Sequence, residues 1–141
     1  MTKRKRVLFV CLGNACRSQM AEAFTRAYGG DVLIPASAGL TPATKLPQDT
    51  LRAMSEKNLD ISAQFPKSLS QMDLRKFDLV INMSGYALPP DSGPPIREWD
   101  VPDPIWLEYA DHCHVRDDIE VRVMELIREL RGSRNLKMKF Q

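Results

Sequence analysis

The sequence predicts a single-domain α/β fold in which a doubly wound, parallel four-stranded sheet is flanked by helices. Three observations lead there. Strand-like segments at 7–11, 32–36, 77–83 and 97–99 alternate with helix-like ones, the pattern of a parallel sheet with right-handed crossovers. The first of them, Val7-Leu8-Phe9-Val10-Cys11, is an unbroken apolar run that reads as a short buried strand. The chain has 141 residues, the size of one domain, which buries roughly 68–70% of its unfolded surface.

Each element has its own local warrant. From Ser18 onward the chain reads as a helix, with Met20, Phe24 and Ala27 on one face. Pro47 suits a helix start, and Leu51 and Met54 follow it as the buried stripe of a second helix. The last helix is the most legible: Ile119, Val123, Leu126, Ile127 and Leu130 recur at helical spacing with charges between them. Asp117 and Asp118 are expected in its first turn, where carboxylates complement the helix dipole. The Pro- and Gly-rich run at 88–95 reads as a long loop inside the domain, and Val101-Pro102-Asp103-Pro104 lies just beyond it. No repeat or linker divides the chain. The expected domain is 7–131, between a basic tail at 1–6 and another at 132–141.

Composition excludes several function classes. The content of 43% hydrophobic residues fits a soluble globular protein. No apolar run approaches the ~20 residues that span a membrane, and no signal-peptide pattern follows the basic start. The formal charge of +2 misleads, because the basic residues crowd at the two ends. Positions 7–130 carry 12 basic and 18 acidic side chains, a balance of −6. A nucleic-acid binder keeps its charge on a folded face, so neither nucleic acid nor membrane is expected as a partner. Three cysteines without a disulfide framework suit a reducing, cytoplasmic compartment.

Ligands of such sheets bind beyond the carboxyl ends of the strands. Cys11 stands at such an end, followed by Leu12, Gly13, Asn14, Ala15, Cys16, Arg17 and Ser18. Gly13 and Asn14 are the residue types that most readily accept positive φ. A loop wrapped back before a helix turns successive N–H groups into one concavity, which the helix N-terminus makes more positive. Residues 12–18 are therefore the candidate oxyanion-binding loop, with Cys11 as candidate nucleophile where positive potential favours a thiolate. Arg17 can clamp two oxygens of a tetrahedral anion with its planar fork. Ser18 suits either a hydrogen bond to the Cys11 sulfur or a helix cap. Asp103, stiffened by prolines on both sides, is a candidate general acid or a plain turn residue. His112-Cys113-His114 has no second ligand cluster to complete a metal site, so no metal and no cofactor are expected.

These landmarks resemble those of the low-molecular-weight protein tyrosine phosphatases. CLGNACRS is similar to that family's signature loop, Ser37-Ala38-Gly39 to its second-strand turn, Phe77-Asp78-Leu79-Val80-Ile81 to its third strand, and Asp103-Pro104 to its late Asp-Pro pair. The resemblance spans about a hundred residues. It implies a catalytic set of Cys11, Arg17 and Asp103, with Asn14 supporting the loop and Cys16 as a reversible disulfide partner. It also places Ile105 and Trp106, with Tyr109 nearby, at the substrate pocket, although an aromatic is more typical where Ile105 stands. Implied substrates are phosphotyrosine-containing proteins and small aryl phosphates. Inorganic phosphate, arsenate and other oxyanions are implied as ligands.

A sister branch, the thioredoxin-coupled arsenate reductases, resembles the chain too. Arg17-Ser18-Gln19-Met20-Ala21-Glu22, Asp60-Ile61-Ser62 and Val115-Arg116-Asp117-Asp118-Ile119 look closer to it. That branch takes two further thiols from the segment after its third strand, and residues 83–99 here contain no cysteine. Ser84 stands where the first would be. The expected activity is hydrolysis of protein phosphotyrosine and aryl phosphates through a phosphocysteine, with arsenate reduction as the alternative. An oxyanion-binding or redox-sensing module without catalysis is the third possibility.

Overall fold

The computed structural model describes residues 3–89 and 93–140, with side chains described as far as residue 133. It is a single α/β unit. The strands are β1 (Lys5–Cys11), β2 (Leu33–Gly39), β3 (Leu79–Asn82) and β4 (Ile96–Glu98); the helices are α1 (Arg17–Gly29), α2 (Gln48–Ser55) and α3 (Tyr109–Phe140). All four strands are parallel, in the order β2-β1-β3-β4. β1 is central, and all of its residues from Val7 to Cys11 are buried, which is why that stretch reads as a continuous apolar run.

Alternation along β1 builds two cores. Val7, Phe9 and Cys11 face α1, α2 and α3, packing with Met20, Phe24, Met54, Ile119 and Ile127. Leu8 and Val10 face the other way, onto Phe77, Val80 and Leu88, with Leu69, Met72 and Leu74 against them. Two short 3₁₀ turns, Leu69–Gln71 and Leu74–Lys76, supply that second cover instead of an α-helix. Burying a side chain such as Phe9 or Phe24 contributes roughly 1.5–3 kcal/mol.

Several boundaries differ from the sequence reading. β2 runs on to Gly39, because Gly39 pairs with Cys11 in the parallel register. β3 starts at Leu79, since Phe77 closes a 3₁₀ turn. α3 starts at Tyr109, so Asp117 and Asp118 are not in a first turn. Asp117 instead bonds Arg116, and Asp118 pairs with Arg122 four residues on. The segments expected as tails also join the fold: β1 begins at Lys5, and α3 runs to Phe140. Pro90, Asp91 and Ser92 of the long loop, and the side chains of Arg134, Lys137 and Lys139, lie outside the described residues.

Candidate active site

The loop between β1 and α1 is held from outside so that its interior is free. Leu40, Thr41 and Ala43 donate backbone hydrogen bonds to the carbonyls of Cys11, Leu12 and Gly13 at 3.2, 2.8 and 2.9 Å. Those carbonyls therefore point outward. The N–H groups of Leu12 to Ser18 have no acceptor among the described residues, and the cap position of α1, Cys16, makes no side-chain cap bond. A ring of unpaired amides at a helix N-terminus is an anion site. Positive φ falls on Asn14 (φ 48), not on Gly13. Gly39 is the glycine this loop requires: a Cβ there would lie 2.8 Å from the Asn14 nitrogen and 2.9 Å from the Leu12 oxygen.

Side chains then fix the sulfur. Asn14 is fully buried, its Oδ1 accepts the Lys67 N–H at 2.8 Å, and its Nδ2 donates to Ser18 Oγ at 2.7 Å. Ser18 Oγ lies 2.9 Å from Cys11 Sγ. Because that oxygen already accepts from Asn14, its own hydrogen is left for the sulfur.

Arg17 is buried and half committed. Its Nη1 donates to the carbonyls of Met83 and, at 3.1 Å, Val101. Its Nη2 lies 3.2 Å from Asp103 Oδ2, while Nε is buried without a partner. Nη1 is thus anchored, and the edge left to grip an oxyanion is Nε together with the Nη2 that Asp103 also contacts. Asp103 in turn accepts the Ile105 N–H at 3.2 Å, an Asx turn that sets its carboxylate.

These groups share one pocket of about 260 Å³, lined by Cys11, Arg17 and Asp103 with loop residues Leu12, Gly13, Ala15 and Cys16. Ile105 and Trp106 line it too. Trp106 is 91% exposed, so its ring stands at the mouth rather than in the core. Asn14 and Ser18 sit behind the wall, as supports. Tyr109 is drawn elsewhere, bonded to Glu56 with Arg52 3.9 Å over its ring. Thr41 and Ala43 line the pocket and were missed. Only the backbone bonds from the segment after β2 bring them there, and no local pattern announces those.

Cys16 lines the same pocket with its thiol buried. Thr50 donates to its Sγ at 3.2 Å, and burial pushes its thiol up to about 12. A resolving thiol attacks as thiolate, so this setting works against a disulfide partnership with Cys11. His112 is buried on α3, its Nε2 3.8 Å from Asp49, and His114 is exposed. Among the described residues no three metal-binding side chains gather, and no helix is long and apolar enough to cross a membrane.

Residues 6–89 match the model of the low molecular weight phosphotyrosine protein phosphatase family. The chain belongs to that family. An arsenate reductase of Bacillus cereus (strain Q1) is 35% identical over 127 residues, which cover 87% of this chain and 94% of that protein. The structure of an arsenate reductase in its phosphate-binding state is 31% identical, with a TM-score of 0.83, covering 89% of this chain and 98% of that one. A low molecular weight protein tyrosine phosphatase from T. tengcongensis is 28% identical, with a TM-score of 0.77, covering 89% and 99%. The chain is accordingly a cysteine-dependent enzyme of the phosphatase and reductase type, with oxyanions as its substrates.

Proposed function

We propose that this enzyme hydrolyses phosphate monoesters of aromatic hydroxyls, on protein phosphotyrosine or small aryl phosphates, through a phosphocysteine on Cys11. One observation carries the reading: a single pocket brings together Cys11, the loop of unpaired amides, Arg17 with its unpartnered Nε, and Asp103. Cys11 Sγ attacks phosphorus in line as the bond to the aryl oxygen breaks, and Asp103 gives that oxygen its proton. The amides and Arg17 hold the equatorial oxygens, a preorganised electrostatic site. Asp103 then takes a proton from the attacking water. The P–S bond breaks, and the departing thiolate is met by the Ser18 hydroxyl.

The names of the relatives favour a second reading, arsenate reduction. Cys11 would displace water from arsenate. A second thiol would then attack Cys11 sulfur, leaving a disulfide and arsenite and so supplying the two electrons. The comparisons weigh toward this reading, and the positions of the cysteines weigh against an internal relay. Burial pushes the Cys16 thiol up against the lowering effect of the Thr50 hydrogen bond, and Cys113 lies on α3 outside the pocket. Reduction would need an external thiol. Assaying p-nitrophenyl phosphate hydrolysis beside thiol-coupled arsenate turnover separates the two. Phosphate release without arsenite formation supports hydrolysis; arsenite formation with no phosphate release overturns it.

A further inference from the structure

Behind Asn14 a row of side-chain amides runs from a half-exposed arginine to the nucleophilic sulfur. Arg26 Nη1 donates to Gln64 Oε1 at 3.1 Å, and Gln64 Nε2 donates to Gln19 Oε1 at 2.6 Å. Gln19 Nε2 donates to Asn14 Oδ1 at 3.0 Å, Asn14 Nδ2 to Ser18 Oγ at 2.7 Å, and Ser18 lies 2.9 Å from Cys11 Sγ. All five links point the same way.

An amide can be turned end for end, so direction has to be earned at each link. Asn14 is fixed because its Oδ1 also accepts the Lys67 backbone N–H at 2.8 Å. Gln19 is fixed because its Nε2 also donates to the Phe65 and Asn14 carbonyls, each at 3.0 Å. Gln64 is fixed at both ends, its oxygen by the Arg26 cation and its nitrogen by the Gln19 carbonyl at 3.3 Å. Every orientation is thus set by a partner that cannot reverse roles. Gln19 is fully buried, whereas Gln64 is half-buried.

We propose that Gln19 and Gln64 are positioning residues, forming with Arg26 a one-way donor chain that holds Asn14 and Ser18 as donors to Cys11. The proposal rests on the reading of Cys11 as nucleophile. Head-to-tail hydrogen bonds polarise one another, by about 10–30% per bond, so the last donor meets the sulfur more strongly than an isolated serine would. Glu22 is the counter-charge at the far end, accepting from Arg26 at 2.6 Å and from Ser37 at 2.5 Å. It keeps the arginine in place without touching the amides.

The test is the rate at which iodoacetamide alkylates Cys11 in the full chain at neutral pH, read by peptide mapping. Gln64→Glu keeps an acceptor for Arg26 but has no N–H for Gln19. Gln64→Met keeps the bulk and removes both functions. Each should slow alkylation by about threefold, with the thermal midpoint within about two degrees of wild type. Gln19→Glu sets an acceptor against the Asn14 oxygen and should slow it about tenfold. Should the buried Gln19 variant fail to fold, the Gln64 pair decides the matter alone. A role in packing only would lower the midpoint and leave the alkylation rate of the folded protein at the wild-type value, and that result overturns the proposal. Wild-type Cys11 should also react faster than Cys113. If it does not, the nucleophile reading fails and the chain proposal falls with it.

Discussion

Two segments meet in the pocket, and they are built in opposite ways. The loop from Cys11 to Ser18 is largely buried and cross-braced: the carbonyls of Cys11, Leu12 and Gly13 are tied to residues 40–43, and Asn14 alone reaches Ser18, Gln19 and Lys67. The segment from Asp103 to Leu107 is a proline-stiffened turn on the surface. Its carboxylate rests on one N–H and one arginine, and Trp106 is almost wholly exposed. The contrast teaches a division of labour. Charge stabilisation needs donors fixed in advance, because reorganising them during reaction costs the rate they would supply. Contact with a leaving group needs only a short, aimed side chain and a rim that suits what it meets.

The braced side should carry the largest effect. Cys11→Ser replaces the proposed sulfur nucleophile with a far less nucleophilic hydroxyl, and should reduce kcat for p-nitrophenyl phosphate by about a thousandfold or more. Phosphate binding, followed by calorimetry, should persist because the amide ring and Arg17 are intact. Retention of more than about a hundredth of wild-type turnover would remove Cys11 from the nucleophile role. Asp103→Asn comes next, slowing phenyl phosphate by about a hundredfold and substrates with acidic phenols much less. An equal loss across a series of leaving groups would show that Asp103 acts on Arg17 alone, through their 3.2 Å contact. Trp106→Ala should be milder still. It should raise KM for aryl phosphates about threefold, leave kcat within about twofold, and leave the thermal midpoint unmoved, since an exposed ring holds no core. A large fall in kcat there would mean the rim is as tightly coupled to chemistry as the loop.

The same contrast explains what the sequence disclosed. The loop was legible because its parts are contiguous: sulfur, amides, Asn14, Arg17 and Ser18 all lie within eight residues. Asp103 was legible through its flanking prolines and the resemblance. The braces were not. Thr41 and Ala43 arrive through main-chain bonds, and Gln64 meets Gln19 from 45 positions away. Neither contact leaves a periodic trace. The early start of α3 was hidden because its first turn joins the hydrophobic core only through the partly buried Tyr109 and Cys113, with a polar anchor from Tyr109 to Glu56. The surroundings of Cys16 were hidden for a related reason, since Thr50 reaches its sulfur from 34 positions away.

The smallest effect should come from the basic edge farthest from the loop. Lys3, Arg4, Lys5 and Arg6 are exposed where β1 begins, and Arg4 bonds the Gly30 carbonyl at 3.2 Å. Arg131 reaches the same turn, through the Tyr28 carbonyl at 2.8 Å and Asp31 at 2.7 Å. Both ends of the domain therefore meet at the amino edge of the sheet, while Cys11 closes the carboxyl edge. At ~3.3 Å per residue, Lys5 stands about 20 Å from Cys11. One unit charge at that distance in water changes a rate by about 1.4-fold before screening. Physiological salt, with a screening length of about 8 Å, reduces this to a few per cent per charge. Replacing all four residues with Gln should therefore leave kcat/KM for p-nitrophenyl phosphate within about twofold at 0.15 M salt. The residual difference should shrink further as salt is raised. A tenfold loss in a folded variant, or a loss that salt does not diminish, would mean that the amino edge touches the active face. The separation between a braced catalytic loop and an inert far edge would then be wrong.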